Sequence, residues 1–306
     1  MKNLILLLAL LWGVPLQAEL PTSAPVSPEL KPAEQQPTEV VPAPQQNTQP
    51  NSQTNPQVNT RSNSQITPKP PAKRSASIGP IIPTVKAVYP HDVTTFTQGL
   101  EFHNGKLYES GGMYGQSVVR IVEPSTGEVI RNVSLQPAFF AEGLTILKNI
   151  VYQITWREET AFAYNAEDLS LIQEFTYTGE GWGLTNDGTS LIMSNGSDTL
   201  TWRDPNTFLA ERQVRVSLRG NPVAQLNELE YVNGKIYANI FMQDVIVKIN
   251  PTTGEVEKVI NADKLYPAEN RDQQQVLNGI AWNPESKTFF LTGKYWPSMF
   301  EVTLEE

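Results

Sequence analysis

A few polar and aromatic residues recur at matched places along this chain. They are Gln98 in Phe96-Thr97-Gln98-Gly99-Leu100, Glu142 in Phe140-Ala141-Glu142-Gly143-Leu144, and Trp182 in Gly181-Trp182-Gly183-Leu184. Asn227 and Glu228 in Leu226-Asn227-Glu228-Leu229-Glu230, and Asn278 in Leu277-Asn278-Gly279-Ile280, complete the set. Brought together, they offer carboxyl groups, several amide donors and acceptors, and an aromatic face, a set suited to holding one small polar ligand. The same groups would equally fill a narrowing channel by bonding to one another or to water, and position alone does not choose. With two histidines and no cysteine, the chain lacks the nitrogen and sulfur donors of most transition-metal sites, and no metal site is expected among these residues.

A repeat sets those positions. From Thr84 onward, apolar stretches such as Val118-Val119-Arg120-Ile121-Val122 and Val245-Ile246-Val247-Lys248-Ile249 are separated by turns such as Asn104-Gly105, Asp187-Gly188 and Asn233-Gly234. That is the pattern of strands joined by tight hairpins. Gly99-Leu100-Glu101-Phe102 leads to Lys106-Leu107-Tyr108-Glu109, then to Val118, then to Gly127-Glu128-Val129. Glu228-Leu229-Glu230-Tyr231 leads through the same series to Gly254-Glu255-Val256, and the order restarts after Gly143, Gly183 and Gly279. Five copies, about 40–50 residues apart with about four strands each, predict an all-β fold, a five-bladed β-propeller. The fifth copy ends after about three strands, while the stretch Val85-Lys86-Ala87-Val88-Tyr89 has no blade. The N-terminal strand should therefore complete the last blade and close the ring, removing two open edges. In a propeller the innermost strands line a central channel, and the loops leading into them gather at one mouth.

The formal net charge is −9, and the acidic excess lies wholly after residue 82. The folded part thus carries no basic footprint for nucleic acid or anionic membranes. Met1-Lys2-Asn3, an apolar run from Leu4 to Val14, and Ala18 before Glu19 read as a secretory signal peptide over residues 1–18. Its apolar core is too short to span a bilayer. The protein is expected to be exported, periplasmic or extracellular, with no membrane insertion after cleavage. Lacking cysteine, it has no disulfide and must rest on its core. Residues 19–82, rich in Pro, Gln, Asn, Thr and Ser, read as a disordered linker, and residues 83–306 as the propeller. Closure of the ring within one chain predicts a monomer.

Several motifs follow one another in a fixed order: His91-Asp92, Phe96-Thr97-Gln98-Gly99-Leu100, Leu107-Tyr108-Glu109-Ser110, Glu142-Gly143-Leu144, Ile154-Thr155-Trp156 and Gly181-Trp182-Gly183-Leu184. Leu226-Asn227-Glu228-Leu229-Glu230, Tyr237-Ala238-Asn239, Asn278-Gly279-Ile280-Ala281 and Thr292-Gly293-Lys294-Tyr295-Trp296-Pro297 continue the series. From about Tyr89 to Leu304 it resembles the plant and bacterial glutamine cyclotransferases of the papaya type. The resemblance implies closure of the N-terminal glutamine of peptides or proteins to pyroglutamate, with release of ammonia. That reaction needs no cofactor, and a structural cation elsewhere is left open. By resemblance, Glu142 is the proton shuttle and Lys294 a polarising or orienting cation. Gln98 and Asn227 hold the substrate's amide and amine, and Trp156 and Trp182 wall the pocket with Phe96, Phe140 and Phe241. Glu109, Glu228, Asn239 and Asn278 are expected to support these groups or bind channel water. The chain departs from the family at Ala141, where glycine is usual, at Phe241, where tryptophan is usual, and at Asn195, where aspartate is frequent. His91 is expected to make structural hydrogen bonds, and His103 to lie in a solvated turn.

Two other readings compete. A non-catalytic periplasmic propeller that binds peptides or scaffolds an assembly would use the mouth but not Glu142 or Lys294. A lactonase-type propeller would hold Ca²⁺ in a cage of carboxylates and carbonyls, where this chain presents Gln, Asn and Trp.

Overall fold

The β-branched and aromatic stretches of the repeat form strands, and the Asn-Gly pairs form the hairpin turns between them. Asn104 and Gly105 have φ of 49° and 75°, and Asn233 and Gly234 have 50° and 78°, the left-handed pairing that a two-residue hairpin demands. The structure, a computed structural model, describes residues 79–305. The segments expected to form a signal peptide and most of the expected linker lie outside the described residues.

Five four-stranded antiparallel sheets are laid down in chain order. Blade 1 comprises Thr97–His103, Lys106–Gly111, Val118–Val122 and Val129–Ser134; blade 2 comprises Ala141–Leu147, Ile150–Thr155, Thr160–Asn165 and Leu171–Thr176. Blade 3 comprises Leu184–Asn186, Leu191–Met193, Thr199–Arg203 and Ala210–Arg215. Blade 4 comprises Leu226–Val232, Lys235–Ile240, Val245–Ile249 and Val256–Asn261. Blade 5 takes Leu277–Asn283, Thr288–Gly293 and Ser298–Thr303, and its outermost strand is Thr84–Pro90. That strand pairs antiparallel with the last one, Val88 opposite Phe300 and Tyr89 opposite Met299. The five innermost strands contact one another in sequence, and the fifth returns to the first. This is a closed five-bladed β-propeller, with the N-terminal strand completing the last blade.

The core is divided among the five seams between neighbouring blades. Tyr108, Val119 and Ile121 of blade 1 meet Leu144, Phe162 and Tyr164 of blade 2. Tyr152 and Phe175 of blade 2 meet Leu191 and Met193 of blade 3, and Leu200 and Trp202 of blade 3 meet Leu229 and Ile236 of blade 4. Tyr237 and Ile246 meet Ile280 and Phe289 across the fourth seam. Leu100, Leu107 and Val122 meet Phe290 and Met299 across the seam that closes the ring.

The fold starts slightly before Pro83. Ile81, placed in the linker by composition, is buried, donates its N–H to Val259 O and accepts from Asn261 N. It thereby ties the closing strand to the outer edge of blade 4. One isoleucine among prolines carries no period, so composition assigned it to the linker.

Candidate active site

Four of the five innermost strands carry a register shift at the candidate site residues. The shifts fall between Thr97 and Gly99, Ala141 and Leu144, Leu226 and Leu229, and Leu277 and Ile280. A bulge opposes two residues to one and re-aims the side chains there. It explains how Gln98, Glu142, Asn227 and Asn278 leave the blade faces and turn to the ring. The residues that follow them bring the backbones together. A Cβ on Gly99 would lie 2.5 Å from Leu144 N, and one on Gly183 would lie 1.9 Å from Asn227 O. Glu228 occupies the equivalent place in blade 4 and fills the space the glycines leave. Its carboxyl accepts the N–H of Leu100 at 3.3 Å and of Ile280 at 2.9 Å, joining blade 4 to blades 1 and 5.

At the mouth, Gln98 Nε2 donates to Glu142 Oε1 at 2.9 Å. Asn278 Nδ2 donates to Thr97 O at 2.9 Å and to Gln98 Oε1 at 3.4 Å, and Asn239 Oδ1 accepts Gly279 N at 3.1 Å. Glu142, Gln98, Asn227 and Lys294 are all buried. Lys294 Nζ stands 4.3 Å from the centre of the Phe96 ring and 5.2 Å from that of Phe241. Burial raises the Glu142 pKa well above its ordinary value; the Lys294 charge opposes this, and Glu158 and Glu180 add to it. Burial likewise lowers Lys294 to about 8, against the pull of Glu142. A carboxyl that holds its proton above the ordinary carboxylate range thus faces a lysine of lowered basicity. Among the described residues, Asn227 Oδ1, Asn239 Nδ2 and Asn278 Oδ1 are buried with no partner. Unpaired polar atoms gathered at one site mark the place where a ligand or water must bond.

Aromatic rings enclose this group. Phe96 lies 6.2 Å from Phe140, Phe140 lies 5.6 Å from Trp156, and Trp182 meets Phe241 edge-on at 5.4 Å. Phe241 keeps the apolar wall without an indole N–H. Ala141 lies in the first strand of blade 2 and is absent from the positive-φ positions, so its methyl is tolerated. Asn195 accepts Ser197 N at 3.2 Å in a turn.

Glu109 lies elsewhere. It accepts from His91 Nε2 at 2.9 Å, Thr97 Oγ1 at 2.7 Å, and Arg120 Nε and Nη2 at 2.9 and 2.7 Å. Burial would raise its pKa, but Arg120 and His91 together bring it down to about 2. Because His91 Nδ1 also faces Trp296 O at 2.7 Å, both ring nitrogens face acceptors and the imidazole carries two protons. His91 therefore ties blade 5 to blade 1. His103 is bonded to the surface residues Asn104 and Asn149.

Sequence reasoning passed over Glu180. One of its oxygens, Oε2, accepts both indole N–H groups, Trp156 Nε1 at 3.0 Å and Trp182 Nε1 at 3.1 Å. The sequence signal was available, because a part-buried indole at a pocket needs an acceptor and Glu180 stands two residues before Trp182.

A family model described as Glutamine cyclotransferase matches residues 59–304. A glutaminyl-peptide cyclotransferase of Arabidopsis thaliana is 38% identical over 227 residues, which is 72% of this chain and 71% of that protein. The crystal structure of Myxococcus xanthus glutaminyl cyclase superposes with a TM-score of 0.70 at 38% identity, covering 74% of this chain and 99% of that one. By this likeness of sequence and of fold, the chain belongs to the glutamine cyclotransferase family.

Proposed function

We propose that this protein converts the N-terminal glutamine of peptides or proteins to pyroglutamate, releasing ammonia, at the channel mouth around Glu142. The observation that carries this reading is the buried Glu142 carboxyl, bonded to Gln98, facing Lys294, and enclosed by aromatic rings. In the reaction the neutral α-amine attacks the γ-carboxamide carbon. A C–N bond forms, and the amine loses a proton to the Glu142 carboxylate. Glu142 returns that proton to the departing nitrogen as the original C–N bond breaks, so ammonia leaves and the carboxylate is restored. Lys294 opposes the negative charge that develops on the amide oxygen. Gln98 and Asn227 hold the substrate's amide and amine, and Asn239, Asn278 and Glu228 keep the bulged strands in register. The walls of Trp156, Trp182, Phe140, Phe96 and Phe241 fold the glutamine side chain back on its own amine, which removes much of the entropic barrier.

The atoms balance without water or redox equivalents, so the proposal invokes no cofactor. Glu109 is a poor base for this step, since Arg120 keeps it ionised and occupied. The N-terminal leader pattern supports export to the periplasm or the extracellular space, where peptides with N-terminal glutamine would be met, and ring closure within one chain supports a monomer. The test is ammonia release from a glutaminyl peptide, wild type beside Glu142→Gln. The expected result is activity in the wild type and a loss of about 10²–10⁴-fold in a folded variant. A folded wild type that is silent across several second residues would instead favour a peptide-binding propeller.

A further inference from the structure

We propose that Glu180 is a positioning residue that clamps the two tryptophan walls of the pocket through one shared oxygen. The inference rests on the reading of the mouth as the cyclisation site. Trp156 follows the second strand of blade 2 and Trp182 precedes the first strand of blade 3, so the two indoles come from different blades. No backbone bond holds a ring plane. Yet both N–H groups converge on Glu180 Oε2, at 3.0 and 3.1 Å. The other oxygen, Oε1, accepts Arg157 Nε at 3.1 Å, while the Arg157 guanidinium lies over the Trp156 ring, 3.6 Å from its centre. Trp156 is therefore fixed at its edge by Glu180 and on one face by Arg157. Trp182 is fixed at its edge by the same carboxylate and on its face by Gly196, where a Cβ would come within 2.7 Å of the indole.

The arrangement has a chemical logic. Indole N–H groups left free at the mouth would compete for the substrate's amide oxygen and would let the walls turn. A carboxylate that takes both donors leaves only apolar ring faces toward the glutamine side chain. The glycines on either side of Glu180, Gly179 with φ of 91° and the tightly enclosed Gly181, turn the chain so that one short side chain reaches both blades. A Cβ on Gly181 would meet the Tyr177 hydroxyl at 2.4 Å and Thr155 O at 2.7 Å, so only glycine fits at that place. Glu180 also sits close enough to add to the upward shift of Glu142, a second and separable consequence of its charge.

The experiment pairs Glu180→Ala with Glu180→Gln and reads two signals. In the first, indole N–H resonances are followed by NMR. Trp202, which donates to Asp187 at 3.1 Å, and Trp296, which donates to Gln275 O at 2.9 Å, serve as internal controls for an intact fold. Glu180→Ala should move the Trp156 and Trp182 signals and speed their exchange with solvent while the two controls stay fixed. In the second, kcat/KM for a glutaminyl peptide should fall about tenfold or more in Glu180→Ala. Glu180→Gln keeps an acceptor oxygen toward the indoles and should recover most of that loss. Unmoved Trp156 and Trp182 signals in Glu180→Ala, or wild-type kcat/KM in that variant, would overturn the clamp. A Glu180→Gln variant as impaired as Glu180→Ala would overturn it too, since charge and not the shared acceptor would then matter. A wild type without cyclase activity whose indole signals still move in Glu180→Ala would retain the clamp and remove the proposed reaction.

Discussion

Burial raises the pKa of Glu142 above the ordinary 4.5, so over that interval the folded protein holds a proton that the unfolded chain releases. By linkage, stability then falls as pH rises through the interval, because the native state binds more protons than the unfolded one. Glu142→Gln removes the titration and keeps the shape of the side chain. Besides losing turnover, it should melt higher than the wild type at pH 7, with the advantage fading toward pH 4, as scanning calorimetry at both pH values would read. A variant no more stable at pH 7 would mean that the carboxyl is better solvated than its burial implies. Lys294 titrates in the opposite sense. Burial lowers it to about 8, so the cation proposed to polarise the amide is lost above that pH. Wild-type kcat/KM should turn down above about pH 8. Lys294→Met should fall about 10²–10³-fold and show no downturn of its own. A downturn that survives in Lys294→Met would assign the limb to another group.

At the scale of elements, the ring is closed by the pairing of Thr84–Pro90 with Ser298–Thr303 and by the buried charges beneath that seam. Arg120 reaches both Glu109 and Asp92, at 2.7 and 2.8 Å, and His91 adds a second cation against Glu109. Removing one partner of a buried ion pair strands the other, at a cost of roughly 3–5 kcal/mol. Arg120→Met should lose about that much in urea denaturation at pH 7, although Arg120 lies outside the proposed reaction. Glu109 has a folded pKa of about 2 against an ordinary 4.5, so its contribution is present above 4.5 and is lost as pH falls toward 2. The variant's deficit should shrink over that range, and a deficit constant with pH would deny the pair its role. The repeat, its phase and the closing strand were legible in the sequence, because period-2 alternation and Asn-Gly turns are local signals. The bulges were not legible, since a register shift depends on which residue the partner strand presents. Nor was the Glu180 contact, which exists only once Trp156 and Trp182 have been brought together by two different blades.

For the molecule as a whole, the channel is built in layers with opposite demands. The mouth carries Gln98, Glu142, Trp182, Asn227 and Asn278, and the next layer is four glycines and Glu228. Two residues further along the strands come Glu101 and Glu230. These three acids also stitch the blades together. Glu101 accepts Thr145 Oγ1 at 2.6 Å and Ile146 N at 3.0 Å from blade 2, and Glu230 accepts Trp282 N at 2.8 Å from blade 5. Burial raises all three pKa values, Glu101 to about 7. Charge from Glu101 and Glu230 adds to the rise at Glu228, and charge from Glu101 adds to that at Glu230. In the protonated form each acid still offers acceptor oxygens to the neighbouring backbone without placing several negative charges on one axis. The same layering makes the ring sensitive to alkali. Over the window from 4.5 to about 7, the folded state retains a proton on Glu101 that the unfolded state sheds, so this site loses stability as pH rises. Glu101→Gln keeps the acceptor for Thr145 and Ile146 but cannot ionise. It should match the wild type in melting temperature near pH 4, exceed it near pH 8, and leave glutaminyl-peptide turnover unchanged, since Glu101 bonds into blade 2 and not to the Glu142 group. A melting difference that stays flat between pH 4 and pH 8 would show that these carboxyls ionise freely and that the channel below the mouth is wet.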